Sequence, residues 1–239
     1  MRVLVIIPCF NEGKNIEKVI NNINSFVDSC SEAKFDLDYI IINDCSTDDT
    51  LDVCVKNDFS FLSLPVNLGI GGCVQTGYRF AFDNDYDIAI QHDGDGQHDP
   101  GYFNDIIAPI LSHDADIVIG SRFIEKHGFQ STGLRRFGIA LLSMIIRICT
   151  GKKIYDVTSG YRATNRKFIE LFARQYAQDY PEPEAIVDAV RNNARIVEIP
   201  VIMHERIEGK SSINMFKSMY YMIKVSLSIL LHRIVSPKN

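Results

Sequence analysis

Short runs of consecutive apolar residues alternate along this chain with segments in which apolar residues recur every three or four positions. The runs are Val3–Ile7, Tyr39–Ile42, Phe61–Leu64, Ile88–Ile90 and Asp116–Ile119. The helical stripes between them run through Ile16, Val19, Ile20, Ile23, Phe26 and Val27, through Val74, Tyr78, Ala81 and Phe82, and near Tyr102–Leu111. Buried strands that alternate with helices predict an α/β fold, with a mostly parallel sheet flanked by helices on both faces.

Polar residues stand directly after these apolar runs. They are Glu12, Asp44, Asn67, the pair Asp93 and Asp95, and Arg122. Ligands of such sheets bind beyond the carboxyl ends of the strands. We therefore expect these residues to lie together in one site.

The most acidic of these clusters is the segment that follows Ile88–Ile90. It places Asp93, Asp95 and Asp99 within seven residues, with glycines between them. Carboxylates so close together repel one another unless a cation or hydrogen-bond donors separate them. Hard oxygen ligands at a strand end suit Mg²⁺ or Mn²⁺ that holds a diphosphate.

Other interpretations of this segment are weaker or stay open. A solvated turn rich in Asp and Gly is common. An EF-hand loop does not fit, because His98 and Asn104 stand where that loop needs Gly and Glu. A phosphatase with Asp93 as its nucleophile stays open, although its usual Lys and acidic partners are not evident.

A separate glycine-rich motif is Gly69-x-Gly71-Gly72. It has the wrong spacing for a dinucleotide site and indicates a turn before a helix.

Composition narrows the class of protein. The chain has 239 residues, of which 46% are hydrophobic, enough for one domain with a large core. Its net charge of −5 argues against nucleic acid as a partner. Its six cysteines lack metal-ligand spacing and favour reduced thiols. No signal peptide precedes the first strand, and no apolar run approaches the ~18 residues that span a bilayer. We therefore expect a cytoplasmic location.

Seven motifs follow one another along the chain. They are Pro-x-Phe-Asn-Glu (8–12), Asn-Asp-x-Ser-x-Asp (43–48), Asn-x-Gly (67–69), Asp-x-Asp-x-Gln (93–97), Ser-Arg-Phe (121–123), Asp-Val-Thr-Ser-Gly-Tyr-Arg-Ala (156–163) and Arg-x-x-Gly-x-Ser (206–211). With this ordered set the chain resembles family 2 glycosyltransferases of the GT-A fold. More narrowly, it resembles polyprenyl-phosphate hexose synthases, such as dolichyl-phosphate mannose synthase and undecaprenyl-phosphate sugar synthases.

The resemblance implies roles for single residues. The nucleotide sugar would be bound by Pro8, Phe10, Glu12, Asp44, Asn67 and Asp93. The metal ligands would be Asp93, Asp95 and Gln97. The acceptor phosphate would be bound by Arg122, Arg162, and Arg135 or Arg136. The catalytic set would be Asp93, Asp95, Arg122 and Arg206, the last on a mobile loop that closes over the donor diphosphate. The floor of the site would be shaped by Asp156, Ser159 and Arg162.

Elementary chemistry agrees with these roles. A divalent cation neutralises the charge that develops on a departing nucleoside diphosphate. The planar guanidinium of arginine matches phosphate oxygens, although an ordinary salt bridge is the competing interpretation for each arginine. Because a phosphate acceptor is already ionised at neutral pH, no strong general base is required.

Two positions depart from the family pattern. Ile139 and Ala140 stand where family members often have a serine that contacts the acceptor, so that contact is missing or is replaced by Ser143. The Pro-rich segment 180–184 falls where related enzymes carry an acidic residue near the sugar. Glu182 or Glu184 would then contact a sugar hydroxyl, and a Pro-rich surface turn is the alternative.

Two stretches are candidates for contact with a lipid surface. Residues 137–148 are apolar and flanked by Arg135, Arg136, Lys152 and Lys153, and residues 215–235 are apolar with interspersed basic side chains. Both suit helices that lie in the membrane interface, and packing on the core or on another subunit is the alternative. We expect a catalytic domain over 1–212 and an amphipathic C-terminal helix over 213–239. The protein would bind peripherally to the cytoplasmic face, with a small membrane protein or a second copy of itself as a possible partner.

The leading hypothesis is an inverting, metal-dependent transfer of a hexose or N-acetylhexosamine from a nucleotide sugar to polyprenyl phosphate, for cell-envelope glycans. A UDP-sugar is favoured over a GDP-sugar as the donor, and Mg²⁺ or Mn²⁺ is the cofactor. The alternatives are a glycosyltransferase with a glycan or lipid hydroxyl as acceptor, the phosphatase that uses Asp93, and a membrane-recruited module that binds nucleotide without turnover.

Overall fold

The structure, a computed structural model, describes residues 1–29, 35–125, 133–178, 181–205 and 224–227. The strands are β1 (Arg2–Cys9), β2 (Asp36–Asn43), β3 (Phe61–Ser63), β4 (Ile88–Gln91), β5 (Ile117–Ser121), β6 (Arg162–Asn165) and β7 (Ile196–Pro200). The helices are α1 (Ile16–Ser29), α2 (Thr50–Lys56), α3 (Gly69–Asp83), α4 (Phe103–Leu111), α5 (Gly133–Thr150), α6 (Arg166–Arg174) and α7 (Pro181–Arg191). A short 3-10 helix, Pro100–Tyr102, precedes α4.

The core lies on both faces of the sheet, because the side chains of a strand point alternately to opposite faces. In β1, Leu4 and Ile6 pack on the face that α3, α5, α6 and α7 cover. Val3, Val5 and Ile7 pack on the opposite face, against α1 and α4. All five side chains are fully buried. The unbroken apolar run of β1 is therefore the consequence of a strand covered on both sides.

The strand order is β3-β2-β1-β4-β6-β5-β7 in the described part of the chain. β1, β2, β3 and β4 pair in parallel, as do β5 and β7. This arrangement confirms the predicted α/β fold with a mostly parallel sheet.

Strand β6 is the exception, and its sequence, Arg-Ala-Thr-Asn, did not predict a strand. It runs antiparallel to both β4 and β5, with Arg162 opposite Gln91 and Ile119. Because of this direction β6 begins at the edge where β4 and β5 end. Arg162 thus joins the polar residues at the carboxyl edge of the sheet.

Helix α5 has one buried and one exposed apolar face. Ile139, Leu142 and Ile146 are at most 4% exposed. The exposed residues follow helical spacing and are Phe137 (69%), Leu141 (37%), Met144 (53%) and Ile148 (58%). No helix among the described residues is long and apolar enough to cross a bilayer. The expected C-terminal helix at 213–239 lies outside the described residues, apart from a helical turn at 224–227.

The cysteines within the described ranges are free thiols. Cys9, Cys54 and Cys73 are buried, and Cys45 and Cys149 are partly exposed. Burial raises the pKa of Cys54 to about 11. These three buried residues therefore act as small apolar side chains, as the sequence predicted.

Candidate active site

The acidic turn, residues 93–99, follows directly after β4. The backbone N–H of Asp93 donates to His98 Nδ1 at 3.0 Å. The N–H of Gln97 donates to Asp95 Oδ1 at 3.0 Å, and the Asp99 carboxylate caps the 3-10 helix through the N–H of Gly101 at 2.8 Å. The turn is thus held by its own polar side chains. The Asp93 side chain remains 36% exposed, at the carboxyl edge of the sheet.

Two glycines let other segments approach this turn closely. A Cβ atom on Gly94 would lie 2.4 Å from Cys9 Sγ, at the end of β1. A Cβ atom on Gly160 would lie 3.0 Å from Asp93 Oδ2 and 3.0 Å from Gln91 Nε2. Glycine at both positions therefore allows β1 and the segment before β6 to pack against Asp93.

Gln97 links the acidic turn to residue 204. Its side-chain Nε2 donates to the carbonyl of His204 at 3.2 Å, and the N–H of His204 donates to the Gln97 carbonyl at 2.9 Å. His204 Nε2 also lies 3.4 Å from Asp99 Oδ2. Since the amide nitrogen of Gln97 is committed to His204, its oxygen is the atom suited to a cation.

Behind the turn lies a cluster of buried rings that the sequence did not reveal. His98 stacks on Tyr161, with ring centroids 4.7 Å apart and an interplanar angle of 11°. His92 packs edge-on against both rings. Burial lowers the pKa of His92 to about 3 and that of His98 to about 4. Both histidines are therefore neutral at pH 7 and do not serve as cationic acids there.

The loops after β1 and β2 are interlocked by hydrogen bonds. Asn11 Oδ1 accepts the N–H of Thr47 at 2.8 Å and the N–H of Asp48 at 3.3 Å. In return, the N–H of Asn11 donates to Ser46 Oγ at 3.0 Å, and the N–H of Gly13 donates to Asp48 Oδ2 at 3.1 Å. Asn11 adopts a left-handed φ of 59°, which asparagine tolerates better than most residues. The two predicted nucleotide-binding loops therefore form one unit.

Within this unit lie the predicted nucleotide-binding residues Glu12 and Asp44. Both are buried, and the Glu12 N–H donates to Thr50 Oγ1 at 2.9 Å. Asp44 Oδ1 accepts the N–H of Leu68 at 2.7 Å, and Asn67 Nδ2 donates to the Asp44 carbonyl at 3.0 Å. Burial raises the pKa of Asp44 in spite of the hydrogen bonds that its carboxylate accepts from the backbone N–H groups of Leu68 and Gly69. The structure thus brings Asp44 and Asn67 together, and Glu12 belongs to the same pair of interlocked loops as Asp44.

Two further predicted nucleotide-binding residues belong to the end of β1. Phe10 follows the strand directly and is 43% exposed, whereas Pro8 is buried within the strand. An exposed aromatic ring beside the interlocked loops offers a stacking face. Pro8 pairs with Ile42 of β2 near the end of β1, and its predicted contact with the nucleotide stays a prediction.

Gly71, which the sequence placed in a turn before a helix, is at the start of α3. Its N–H donates to the Gln178 carbonyl at 3.2 Å. The segment at 177–178 therefore packs on the start of α3, and the expected turn and helix are confirmed.

Arg122, a predicted ligand of the acceptor phosphate, forms a buried ion pair. Its Nε and Nη2 donate to the two oxygens of Asp156, each at 2.7 Å, and its N–H donates to the same carboxylate at 3.1 Å. Nη2 also donates to Thr158 Oγ1 at 3.0 Å. Asp156 is fully buried. The ordinary salt bridge is thus present, while phosphate binding by Arg122 stays a prediction.

Arg162 is likewise engaged within the protein. It is 1% exposed, and its Nη2 donates to the Ser159 carbonyl at 2.6 Å. Its Nη1 donates to the Glu182 carbonyl at 3.3 Å, at the start of α7. Ser159 Oγ in turn donates to the Gly120 carbonyl at 2.6 Å. Arg162, Ser159 and Asp156 are thus all buried, and their role as the floor of the site stays a prediction.

The remaining basic residues of the prediction contribute less to the described site. Arg136 is exposed on α5. Arg206 and the side chain of Arg135 lie outside the described residues. Ser143 Oγ donates to the Ile154 carbonyl, so this hydroxyl ties the segment after α5 to the middle of the helix, and a contact with the acceptor stays a prediction.

Residues 181–184 form the first turn of α7. The alternative given for this segment in the sequence analysis, a Pro-rich surface turn, is therefore wrong. Pro181 and Pro183 are buried there, and proline suits the first helical turn because those N–H groups have no partner within the helix. Burial raises the pKa of Glu182, Arg162 opposes this shift, and the charge of Asp93 adds to it. The charge of Asp93 thus acts on Glu182, and Glu184 lies in the same first turn of α7.

The donor set fits a cation that a diphosphate helps to bind. No group of three or more His, Cys, Asp or Glu residues suited to a metal occurs among the residues described here. Asp93 and Asp95 supply two carboxylates on one turn, and Gln97 adds an amide oxygen. Mg²⁺ in such sites uses one or two carboxylates together with substrate phosphates. Two carboxylates therefore suffice.

The chain is similar to known glycosyltransferases in sequence. Residues 4–172 match the family model described as Glycosyl transferase family 2. The chain is 28% identical over 219 residues to the UDP-N-acetylglucosamine–dolichyl-phosphate N-acetylglucosaminyltransferase of Methanococcus voltae, covering 83% of this chain and 84% of that protein. It is 30% identical over 223 residues to the undecaprenyl-phosphate mannosyltransferase of Micrococcus luteus, covering 90% and 88%.

The fold is similar to that of solved glycosyltransferases. The glucosyl-3-phosphoglycerate synthase of Mycobacterium tuberculosis, in complex with Mn²⁺ and UDP-glucose, has a TM-score of 0.73 at 22% identity. The match covers 99% of this chain and 80% of that one. This similarity confirms the predicted GT-A fold. Since the family model spans most of its length, the chain belongs to glycosyl transferase family 2 and is a glycosyltransferase.

Proposed function

We propose that the enzyme transfers a hexose or N-acetylhexosamine, with inversion, from a UDP-sugar to a polyprenyl phosphate. The observation that supports a nucleotide-sugar donor is the meeting of the acidic turn with the interlocked loops at one edge of the sheet. The names of both curated relatives describe transfer to a dolichyl or undecaprenyl phosphate, which supports the acceptor. The name of the first relative includes a UDP-linked donor.

The donor would lie across the ends of β1, β2 and β4. Phe10 offers its exposed ring to the base, and Glu12 and Asp44 lie beneath the ribose. Asp93, Asp95 and the oxygen of Gln97 would hold Mg²⁺ or Mn²⁺. When bound, the cation supplies positive charge that stabilises the departing diphosphate.

The acceptor needs no strong base in this mechanism, because a phosphate monoester is already an anion at pH 7. Arg122 lies close enough to Asp93 for their charges to interact, so its cation acts on the site even while it is paired with Asp156. We propose that Arg122 and Arg162 provide this positive field, with Arg135 or Arg136 and Arg206 at the phosphate. Buried guanidinium groups held by fixed partners provide a field that needs no reorganisation during the reaction.

A hydroxyl acceptor is the second candidate, and Glu182 is the observation that favours it. A hydroxyl group must lose its proton, and a carboxylate whose pKa is raised by burial, with a further contribution from the charge of Asp93, is suited to accept it. Glu182→Gln tests this choice. With a phosphate acceptor we expect kcat to fall less than tenfold, whereas a hydroxyl acceptor that needs the base would lose 10²-fold or more. Membership of a transferase family favours either candidate over a phosphatase.

The exposed face of helix α5 supports attachment to a membrane surface, which we propose to be the cytoplasmic face. The segment 133–153 has no acidic residue, and its apolar exposed stripe is accompanied by Arg136, Arg147, Lys152 and Lys153, which are also exposed. Such a face suits the interface of an anionic bilayer. The helix leads through residues 151–155 to Asp156, the partner of Arg122. A lipid-bound α5 would thus lie near the acceptor end of the site.

Flotation with anionic vesicles tests this attachment. Ile148→Glu places a charge on the exposed stripe, and we expect it to weaken vesicle binding about tenfold or more. Val55→Glu is the matched control, since Val55 is exposed to a similar extent on α2. Equal loss in both variants, or no vesicle binding by the wild type, would contradict the attachment. A small membrane protein and a second copy of the chain remain predicted partners.

A further inference from the structure

The ring pair His98 and Tyr161 touches the acidic turn at both of its ends. At the first residue, the N–H of Asp93 donates to His98 Nδ1 at 3.0 Å. At the last residue, the Tyr161 hydroxyl donates to the Asp99 carbonyl at 2.7 Å. The two rings stack at a centroid distance of 4.7 Å. One rigid pair of side chains therefore spans the whole turn.

The histidine ring also constrains the Asp93 carboxylate. Because Nδ1 accepts a hydrogen bond, the single proton of the neutral ring must reside on Nε2. That nitrogen lies 3.7 Å from Asp93 Oδ2. The ring thus faces both the backbone and the carboxylate of Asp93. Gly160 approaches the same carboxylate, since a Cβ atom there would lie 3.0 Å from Asp93 Oδ2.

Both rings are placed by the fold rather than by the ligand. His98 is 5% exposed and Tyr161 is fully buried, beside Phe103 of α4 and His92. Tyr161 immediately precedes β6, whose register with β4 fixes its position beside the turn. Rings held in this way cannot rearrange cheaply when a cation arrives.

We infer that His98 and Tyr161 act as positioning residues that hold the acidic turn in the geometry that binds the divalent cation. This inference rests on the proposed function, because it concerns the same cation. A turn that is already ordered loses less conformational freedom on binding. Loss of groups that orient metal ligands typically costs 10–100-fold in metal affinity. His98 thus supports the turn through Nδ1, with its ring proton on Nε2.

The experiment titrates Mn²⁺ by electron paramagnetic resonance in the presence of UDP, with the melting temperature recorded for each variant. His98→Asn keeps an acceptor at the position of Nδ1, whereas His98→Gln places its acceptor at the position of Nε2. Tyr161→Phe removes only the hydroxyl group. We expect Mn²⁺ affinity to fall at least tenfold in His98→Gln and several-fold in Tyr161→Phe. It should stay within about threefold of wild type in His98→Asn.

The outcomes separate the inference from the proposed function. A wild-type protein that binds neither Mn²⁺ nor UDP contradicts the proposed function itself. If the wild type binds and His98→Gln binds Mn²⁺ equally well, the inference is overturned. A second measurement needs no variant: the ¹⁵N NMR spectrum of the wild-type His98 ring should show the proton on Nε2. A proton on Nδ1 would also overturn the inference.

Discussion

The buried ion pair between Arg122 and Asp156 gives the sharpest test of what an arginine at this edge does. Asp156 is fully buried and accepts three hydrogen bonds from Arg122, two from the guanidinium at 2.7 Å and one from the backbone at 3.1 Å. Asp156→Asn preserves the size of the side chain and removes its charge. Removing one partner of a buried pair typically costs about 3–5 kcal/mol, because the other charge stays buried and uncompensated. We expect a loss of that size in the free energy of unfolding.

The double substitution Arg122→Met with Asp156→Asn separates stability from catalysis. It leaves no uncompensated charge, and the asparagine can still accept the N–H of residue 122. We therefore expect the double variant to be at least 1–2 kcal/mol more stable than the sum of the two single effects predicts. If the cation of Arg122 acts on the phosphates, the double variant will be folded and will not transfer sugar.

The assay combines urea unfolding, followed by circular dichroism, with sugar transfer by the same preparations. Arg166→Met is a control for the loss of an arginine, because its salt bridge to Asp85 is partly exposed and lies at the opposite edge of the sheet. Asp156→Asn with wild-type stability would refute the energetic reasoning. A double variant that transfers sugar at the wild-type rate would refute a catalytic role for the Arg122 charge.

Three further predictions address the neighbouring loops. Asn11→Gly allows the left-handed backbone at φ 59° and removes the hydrogen bonds that Asn11 Oδ1 accepts from the loop after β2, so we expect UDP affinity to fall about tenfold. Asn11→Asp keeps the acceptor oxygen, and its UDP affinity, measured by calorimetry, should stay near that of the wild type. Equal affinities in the two variants would contradict a role for these hydrogen bonds. Burial raises the pKa of Asp48, but hydrogen bonds from Thr50 and Gly13 outweigh it and the pKa is lowered. Because the pKa of Asp48 is lower in the folded state, its ionised carboxylate stabilises the protein at pH values above the unfolded pKa of about 3.9, and this stabilisation is lost as the pH falls through the folded pKa. Asp48→Asn should therefore make the unfolding free energy fall less steeply between about pH 5 and pH 2. An unchanged slope would refute this prediction. Gly160→Ala would press a Cβ atom against Asp93 Oδ2 at 3.0 Å, and Mn²⁺ affinity should fall about tenfold with UDP affinity in EDTA unchanged; full Mn²⁺ affinity would show that the carboxylate moves away freely.

The sequence predicted the part of this structure that depends on local pattern. The apolar runs marked β1, β2, β4 and β5 because parallel strands buried on both faces must be apolar throughout. The position of the acidic turn at the site was predictable because the carboxyl ends of the strands in such a sheet lie at one edge. The start of α7 was not predicted, although Pro181 and Pro183 suit the first turn of a helix and could have indicated it.

Most of the features that escaped prediction depend on partners distant in the chain. Arg162 is polar yet belongs to β6, because carbonyl groups of Ser159 and Glu182 satisfy its guanidinium. The stacking of His98 on Tyr161 joins residues far apart in sequence, and no local pattern signals it. The pairing of Arg122 with Asp156 likewise needed the structure, although the sequence offered both residues to the site.

The measurement that tests the central claim most directly compares two acceptors that differ only in the phosphate. Wild-type protein with Mn²⁺ receives a panel of labelled UDP- and GDP-sugars, together with either a short polyprenyl phosphate or the corresponding polyprenol. Asp95→Asn is the control for dependence on the acidic turn. We predict transfer of label from a UDP-sugar to the polyprenyl phosphate alone, with at least a 10²-fold loss in the variant. Transfer to the polyprenol, or transfer that Asp95→Asn leaves intact, would contradict the account.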